Sequence, residues 1–88
     1  MTFELACKKA MEYFKKRYGD IGLSSIKDLG EKWLFDGEGD QRCVVYGKEG
    51  VSIDKNTGEI KPFIMMEDDN LQLYKKSADI DVPKEYRA

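Results

Sequence analysis

The sequence contains no histidine. Histidine is the commonest general base in enzymes and the usual activator of serine and cysteine nucleophiles, so its absence argues against hydrolase chemistry of either kind. A phosphate-binding glycine loop is also missing, because the glycines lie in turn-like segments that no helical pattern follows. The sequence therefore predicts a protein that is not an enzyme and needs no cofactor.

Cysteine is scarce as well, with only Cys7 and Cys43 in the chain. Zinc sites use closely spaced pairs of cysteine or histidine, and this sequence has no such spacing. Both cysteines have neighbours typical of a protein core, and the chain shows no export signal. We therefore expect two reduced thiols rather than a disulfide, and no zinc.

Long apolar runs and an excess of basic charge are the remaining absences. The first ten residues contain lysines and no unbroken apolar stretch, so we expect neither a signal peptide nor a membrane span. We therefore expect a cytoplasmic location. Seventeen acidic and 15 basic residues give a net charge of −2. This mild acidity argues against nucleic acid as a partner.

The clearest positive feature is the stretch GVSIDKNTGEIKPF, residues 50–63. Val51 and Ile53 alternate in one phase, and Ile60 begins a second apolar alternation. The DKNTG segment between them supplies side chains that form hydrogen bonds with the backbone of a turn, and a glycine that tolerates positive φ. The pattern therefore predicts a β-hairpin. A calcium loop is disfavoured because glycine stands at the fifth position and Met65 at the twelfth.

An amphipathic helix is predicted from Thr2 to Tyr18, where apolar residues recur every three or four positions. Thr2 is placed to cap its first turn and Gly19 to close its last. Further along, residues 21–29 suggest an irregular edge strand bulged at Ser24 and Ser25.

A second hairpin is predicted between the WLF and CVV segments, with DGEGD, residues 36–40, as its turn. Pro62 favours an edge position for the last strand of the 50–63 hairpin. An acidic run opens a short helix or turn near Leu71, and the tail is expected to pack through Val82 and Tyr86.

These elements predict a single α+β domain over residues 1–88, with the N-terminal helix packed on an antiparallel sheet of about four strands in a meander, cystatin-like roll. The expected core joins apolar residues of the helix to those of the strands: Phe3, Met11, Phe14, Trp33, Phe35, Val45 and Ile53. The other sheet face carries Leu34, Val44 and Tyr46. We expect either the C-terminal segment or a partner protein to cover that face.

Two acidic clusters and two tyrosines are the candidate binding residues. Exposed turn carboxylates stay ionised, so they suit the capture of a basic partner better than general acid catalysis, which needs a raised pKa. The candidate residues are Asp36, Glu38, Asp40, Tyr46, Glu67, Asp68, Asp69 and Tyr74.

Three segments, KKAMEYFKKRYG, KWLFDGEG and GVSIDKNTGEIKPF, together resemble small bacterial immunity proteins of polymorphic toxin systems, specifically the YrhB and immunity protein 35 type. The likeness extends over roughly residues 3–64. It implies a cytosolic, non-enzymatic protein that binds a cognate toxin domain and blocks it. The resemblance identifies no binding residues, so the acids above are hypotheses from charge.

Two further hypotheses compete with the immunity reading. A small homodimeric or chaperone-like accessory domain would pair through the apolar residues of the second sheet face. An enzyme using two carboxylates is the least favoured, because the acidic clusters lack the apolar surroundings that raise a carboxyl pKa.

Overall fold

The structure is a computed structural model that describes residues 2–19, 21–39, 50–64 and 69–87. Its elements in chain order are α1 (Phe3–Tyr18), β1 (Ile21–Asp28), β2 (Lys32–Gly39), β3 (Gly50–Asp54), β4 (Ile60–Phe63), α2 (Asn70–Lys76), β5 (Ala78–Ile80) and a single 3-10 turn (Lys84–Tyr86). The strands form one sheet in the order β4-β3-β2-β1-β5, and every neighbouring pair is antiparallel. The predicted α+β class, with one helix on an antiparallel sheet and a short C-terminal helix, is confirmed.

Helix α1 begins and ends where its sequence signals place it. The Thr2 hydroxyl accepts a hydrogen bond from the Leu5 N–H at 3.2 Å, which satisfies one of the unpaired donors of the first turn. Gly19 closes the helix with φ 83°, and its N–H donates to the Lys15 carbonyl at 3.1 Å. The buried stripe of α1 consists of Ala6, Cys7, Ala10 and Phe14.

The β3–β4 hairpin also forms as predicted, and its turn depends on Asp54. One carboxylate oxygen of Asp54 accepts the N–H groups of Asn56 and Thr57 at 2.8 and 2.9 Å. Gly58 has φ 74° and donates its N–H to the Asp54 carbonyl at 2.9 Å. A residue with a side chain is strained in that conformation, so glycine is needed at position 58.

This turn makes part of the stability dependent on pH. The hydrogen bonds from the Thr57 and Asn56 N–H groups hold the pKa of Asp54 below its usual range. A group whose pKa is lowered in the folded state contributes its full stabilisation above its unfolded pKa of ~3.9, and this stabilisation disappears as the pH falls through the folded pKa. We expect Asp54→Asn to reduce the loss of stability between pH 5 and pH 2, measured by urea unfolding. Identical acid-side slopes in both proteins would contradict this role.

The main core lies between α1 and one face of the sheet. The Phe3 ring makes an edge-to-face contact with Trp33, with centroids 5.5 Å apart, and stacks on Phe35 at 6.4 Å. Met11 and Phe14 pack in the same cluster, as predicted. Val45, the remaining strand residue of that prediction, lies outside the described residues. Val82 and Tyr86 pack against this core from the tail, which confirms the tail prediction.

Helix α2 covers the second face of the sheet. Leu34 is only 2% exposed and packs with Leu29 and Phe63. Leu73 and Tyr74 of α2 pack against this cluster. Of the two covers expected for this face, the C-terminal segment is therefore the one found over Leu34, and a homodimer cannot use that side chain. Val44 and Tyr46, predicted on the same face, lie outside the described residues.

The predicted turn over residues 36–40 is wrong for 36–39. Strand β2 continues to Gly39 and pairs with β1 as far as Ile21. Glycine and acidic residues suggest a turn locally, but pairing with β1 supplies backbone hydrogen bonds that hold the segment extended. The returning strand predicted around Cys43 lies outside the described residues.

Strand β1 confirms one prediction and corrects another. Its register with β2 shifts between Leu23 and Ser25, which is the predicted bulge. However, β1 is not an edge strand over its second half, because β5 pairs with it from Ile26 opposite Ile80. β4, which contains Pro62, is an edge of the described sheet, as predicted.

The thiol of Cys7 is free and lies fully buried in the stripe of α1 that faces the core. Desolvation by burial, followed by the charges of Glu85 and Glu4, raises the pKa of this thiol to about 11. The thiolate needed for nucleophilic attack is therefore disfavoured, consistent with the predicted packing role. Cys43 lies outside the described residues. Neither described helix has the length and hydrophobicity that crossing a membrane requires.

Candidate protein-binding surface on the second sheet face

The structure places three of the eight sequence-predicted binding residues in full: Asp36, Asp69 and Tyr74. For Glu38 only the backbone is described, and it lies within β2. The other four candidates are outside the described residues: Asp40, Tyr46, Glu67 and Asp68. The surface is therefore built from the first three residues and from the side chains that hold them.

Strand registers arrange the second face in rows that run across the sheet. One row crosses all five strands and consists of Asp79, Lys27, Leu34, Ser52 and Lys61. Because neighbouring side chains of a strand alternate between faces, these residues lie opposite the α1 core. The row is charged at both ends and apolar at Leu34, where α2 covers it.

Lys27 fixes the part of this row nearest β5. Its ammonium contacts the Asp79 carboxylate at 2.5 Å and lies 5.1 Å from the centroid of the Tyr74 ring. The hydrogen bond from Lys27 to Asp79 raises the pKa of the lysine, so it stays charged. Its stem is well covered, with 19% of the side chain exposed. Lys27 thereby positions Tyr74, a predicted binding residue, through a cation–π contact.

Asp36 lies in the next row, beside Ser25 of β1. Its side chain is half-buried and accepts a hydrogen bond from the Ser25 hydroxyl at 3.2 Å. The absence of a side chain at Gly50 makes room for it, since a Cβ there would lie 2.6 Å from Asp36 Oδ1. Asp36 is therefore a strand residue with a defined position rather than part of an exposed turn.

Asp69 immediately precedes α2, at the side of this face that is nearest β4. Its carbonyl accepts the Leu73 N–H at 2.9 Å, whereas its carboxylate makes no capping bond and the residue is exposed. The Asn70 side chain donates to the Ile64 carbonyl at 2.7 Å and anchors the start of α2 to the end of β4. Since Tyr74 reaches Lys27 on β1, α2 crosses the sheet from β4 towards β1.

The described ion pairs involve other acids of the chain. Asp28 and Asp79 are paired with lysines, as are Glu4 and Glu59. Neither Asp36 nor Asp69 takes part in any of the ion pairs described. Asp69 therefore presents a charge outside these pairs, whereas the Asp36 charge also acts on Lys27 of the neighbouring row.

The described surface offers carboxylate, hydroxyl and aromatic groups. The Ser25 hydroxyl and the Asp36 carboxylate form a hydrogen-bonded pair on the neighbouring strands β1 and β2. Within the described residues, no group of three histidine, cysteine or acidic side chains is arranged to hold a metal ion. The arrangement presents one carboxylate on β2, and a second carboxylate and an aromatic ring at α2.

Sequence reasoning missed Lys27 and Ser25, which hold the candidate residues in place. The alternation of β1 carried a usable signal, because Ile26 in the core phase puts Lys27 on the opposite face. No sequence signal links Lys27 to Asp79 or Tyr74, since these contacts depend on how α2 and β5 return to the sheet.

Comparison with known proteins adds no relative to this description: no family model matches the chain, and no curated protein or solved structure matches it.

Proposed function

We propose that this chain is a non-enzymatic binding protein of the bacterial immunity type, which neutralises a cognate toxin in the cytoplasm by occluding a basic surface of it. The observation that carries this proposal is that both described acids of the predicted binding set, Asp36 and Asp69, lie outside the described ion pairs. The resemblance of three segments to immunity proteins supports the choice of partner.

The two acids have complementary properties for such a role. Asp69 is exposed and acts at a distance, where unpaired charge raises the rate of encounter with a basic partner. Asp36 is half-buried and accepts a hydrogen bond from Ser25, so a cation that reaches it loses water and gains a defined contact. Tyr74 adds an aromatic contact of the kind enriched at protein interfaces.

Capture from lysate of the native cell tests the proposal directly. The tagged chain is incubated at low salt, and bound proteins are eluted with rising salt and identified by mass spectrometry. We expect one stoichiometric partner with a toxin-like domain, released by salt. Recovery of the chain alone would support the homodimeric or accessory-domain alternative instead.

Charge substitutions then test the surface itself. We expect Asp36→Asn combined with Asp69→Asn to weaken binding of the captured partner by about 10-fold at low ionic strength, mainly through slower association. Asparagine retains an oxygen that accepts the Ser25 hydrogen bond, so the fold is preserved. Surface plasmon resonance across a salt series measures both rates.

Glu85→Gln is the control, because Glu85 is an exposed acid whose charge acts on the Cys7 thiol of α1, on the core side of the sheet. It removes one charge and should leave association within twofold of the wild type at the same ionic strength as the double variant, because it lies away from the proposed surface. Equal affinity of the double variant and the wild type would contradict the assignment of this surface.

A further inference from the structure

A groove lies on the opposite side of the molecule, between the outer face of α1 and strand β4. Its volume is about 250 Å³, and its lining residues are Lys9, Glu12, Tyr13, Lys16 and Ile60. Tyr13 and Ile60 are half-buried and form its apolar floor. The groove is large enough for one or two side chains of a partner.

Cations dominate the rim of this groove. The Lys9 ammonium donates to the Gly58 carbonyl at 3.1 Å, which holds its charge beside the start of β4. Lys16 is exposed, and the Arg17 guanidinium lies 4.7 Å from the centroid of the Tyr13 ring. Glu12 is the acid among the lining residues. The groove therefore favours a negatively charged occupant.

Strand β4 is an edge of the described sheet, and it brings backbone groups that pair with no other described strand to the same place. The Asp54 N–H donates to the Glu59 carbonyl at 3.0 Å, so these two residues form a hydrogen-bonded pair. Such pairs alternate along an antiparallel ladder, and the N–H and C=O of Ile60 therefore point away from β3. The backbone of Pro62 faces away from β3 in the same way, but proline has no N–H to donate.

We propose that this groove binds an acidic peptide segment in extended conformation, which pairs with β4 at Ile60 and directs carboxylates towards Lys9 and Lys16. Backbone bonding at an exposed sheet edge gives affinity, while pockets and charges beside it select side chains. The missing N–H of Pro62 limits the added strand to a short stretch around Ile60. This inference rests on α1 and β4 and is independent of the acidic surface on the second sheet face.

A synthetic peptide tests this assignment. The probe is a fluorescein-labelled, capped five-residue peptide of alternating glutamate and valine, and its control contains lysine in place of glutamate. We expect saturable binding of the acidic peptide at low salt, measured by fluorescence anisotropy, and at least 5-fold weaker binding of the basic one. Hydrogen exchange followed by NMR should show new protection of the Ile60 amide when the acidic peptide is bound.

Two charge reversals on α1 provide the matched comparison. Lys16→Glu changes the groove, whereas Lys15→Glu makes the same change in charge about 100° around the helix. Binding that falls about 10-fold or more in the first variant and changes less than 3-fold in the second would support the assignment. Equal loss in both variants, or protection of amides elsewhere than at Ile60, would overturn it. Dimers of the chain that Lys16→Glu dissociates would identify a second copy as the occupant and also overturn it.

Discussion

Replacing Phe35 by alanine is expected to destabilise the protein by about 3–5 kcal/mol, because it removes the ring at the centre of the main core. Phe35 is fully buried, its strand neighbours are Ile26 and Val51, and Phe3 stacks on it from α1. The loss approaches the whole stability of a small domain, which is typically about 5–15 kcal/mol. Urea unfolding followed by circular dichroism measures the change.

Leu5→Ala is the control for this experiment. Leu5 lies on α1 but is 52% exposed, so its truncation removes little buried area and is expected to change stability by about 0.5 kcal/mol or less. A loss below about 1 kcal/mol for Phe35→Ala would contradict the central position of this ring.

Gly50→Ala is expected to cost about 1–3 kcal/mol, the usual range for adding a methyl group where no space exists. A Cβ at this position would lie 2.6 Å from Asp36 Oδ1, 3.0 Å from Leu34 Cδ1 and 3.1 Å from the Phe35 carbonyl oxygen. The Asp36 carboxylate is able to rotate away, but the Phe35 carbonyl belongs to the β2 backbone and cannot. The substitution therefore affects both the packing beneath α2 and a residue of the proposed binding surface.

The double variant Gly50→Ala with Asp36→Ala separates these contributions. It removes the shortest of the three contacts and should recover only part of the lost stability, since the Leu34 and Phe35 contacts remain. Full recovery would show that the Asp36 side chain alone occupies the space. Unchanged stability in Gly50→Ala itself would contradict the close approach of β3 and β2 at this position.

The elements predicted correctly are those held by contacts between near neighbours in the chain. Thr2 caps α1 three residues away, and Gly19 bonds back to Lys15. In the hairpin, the Asp54 carboxylate accepts hydrogen bonds from the N–H groups of the residues two and three positions ahead, and Gly58 closes the turn. Such contacts join residues that are close in sequence and do not depend on which distant segments meet, so the local sequence is sufficient to predict them.

The errors occur where distant strands override local preference. Gly37 and Glu38 have turn-forming neighbours, yet they are extended because β1 pairs with them. The second half of β1 resembles an edge strand until β5 returns from the far end of the chain to cover it. Strand pairing depends on the path of the whole chain, and no single segment encodes it.

The candidate binding surface shows the same division. Charge composition alone singled out Asp36 and Asp69, and their role in binding stays a prediction. The position of Tyr74 depends on Lys27, which in turn depends on Asp79, and these three residues belong to three different elements. Sequence spacing contains no information on that contact.

The sequence by itself determined the amphipathic helix, the 50–63 hairpin and the α+β class, because hydrophobic periodicity, capping and turn chemistry act over a few residues. Only the tertiary structure decided that β2 runs to Gly39, that β5 covers β1, and that α2 buries Leu34. It also decided which acids are neutralised by lysines and which remain unpaired. These outcomes require segments far apart in the chain to meet, and the free energy of burying apolar area selects the arrangement in which they do.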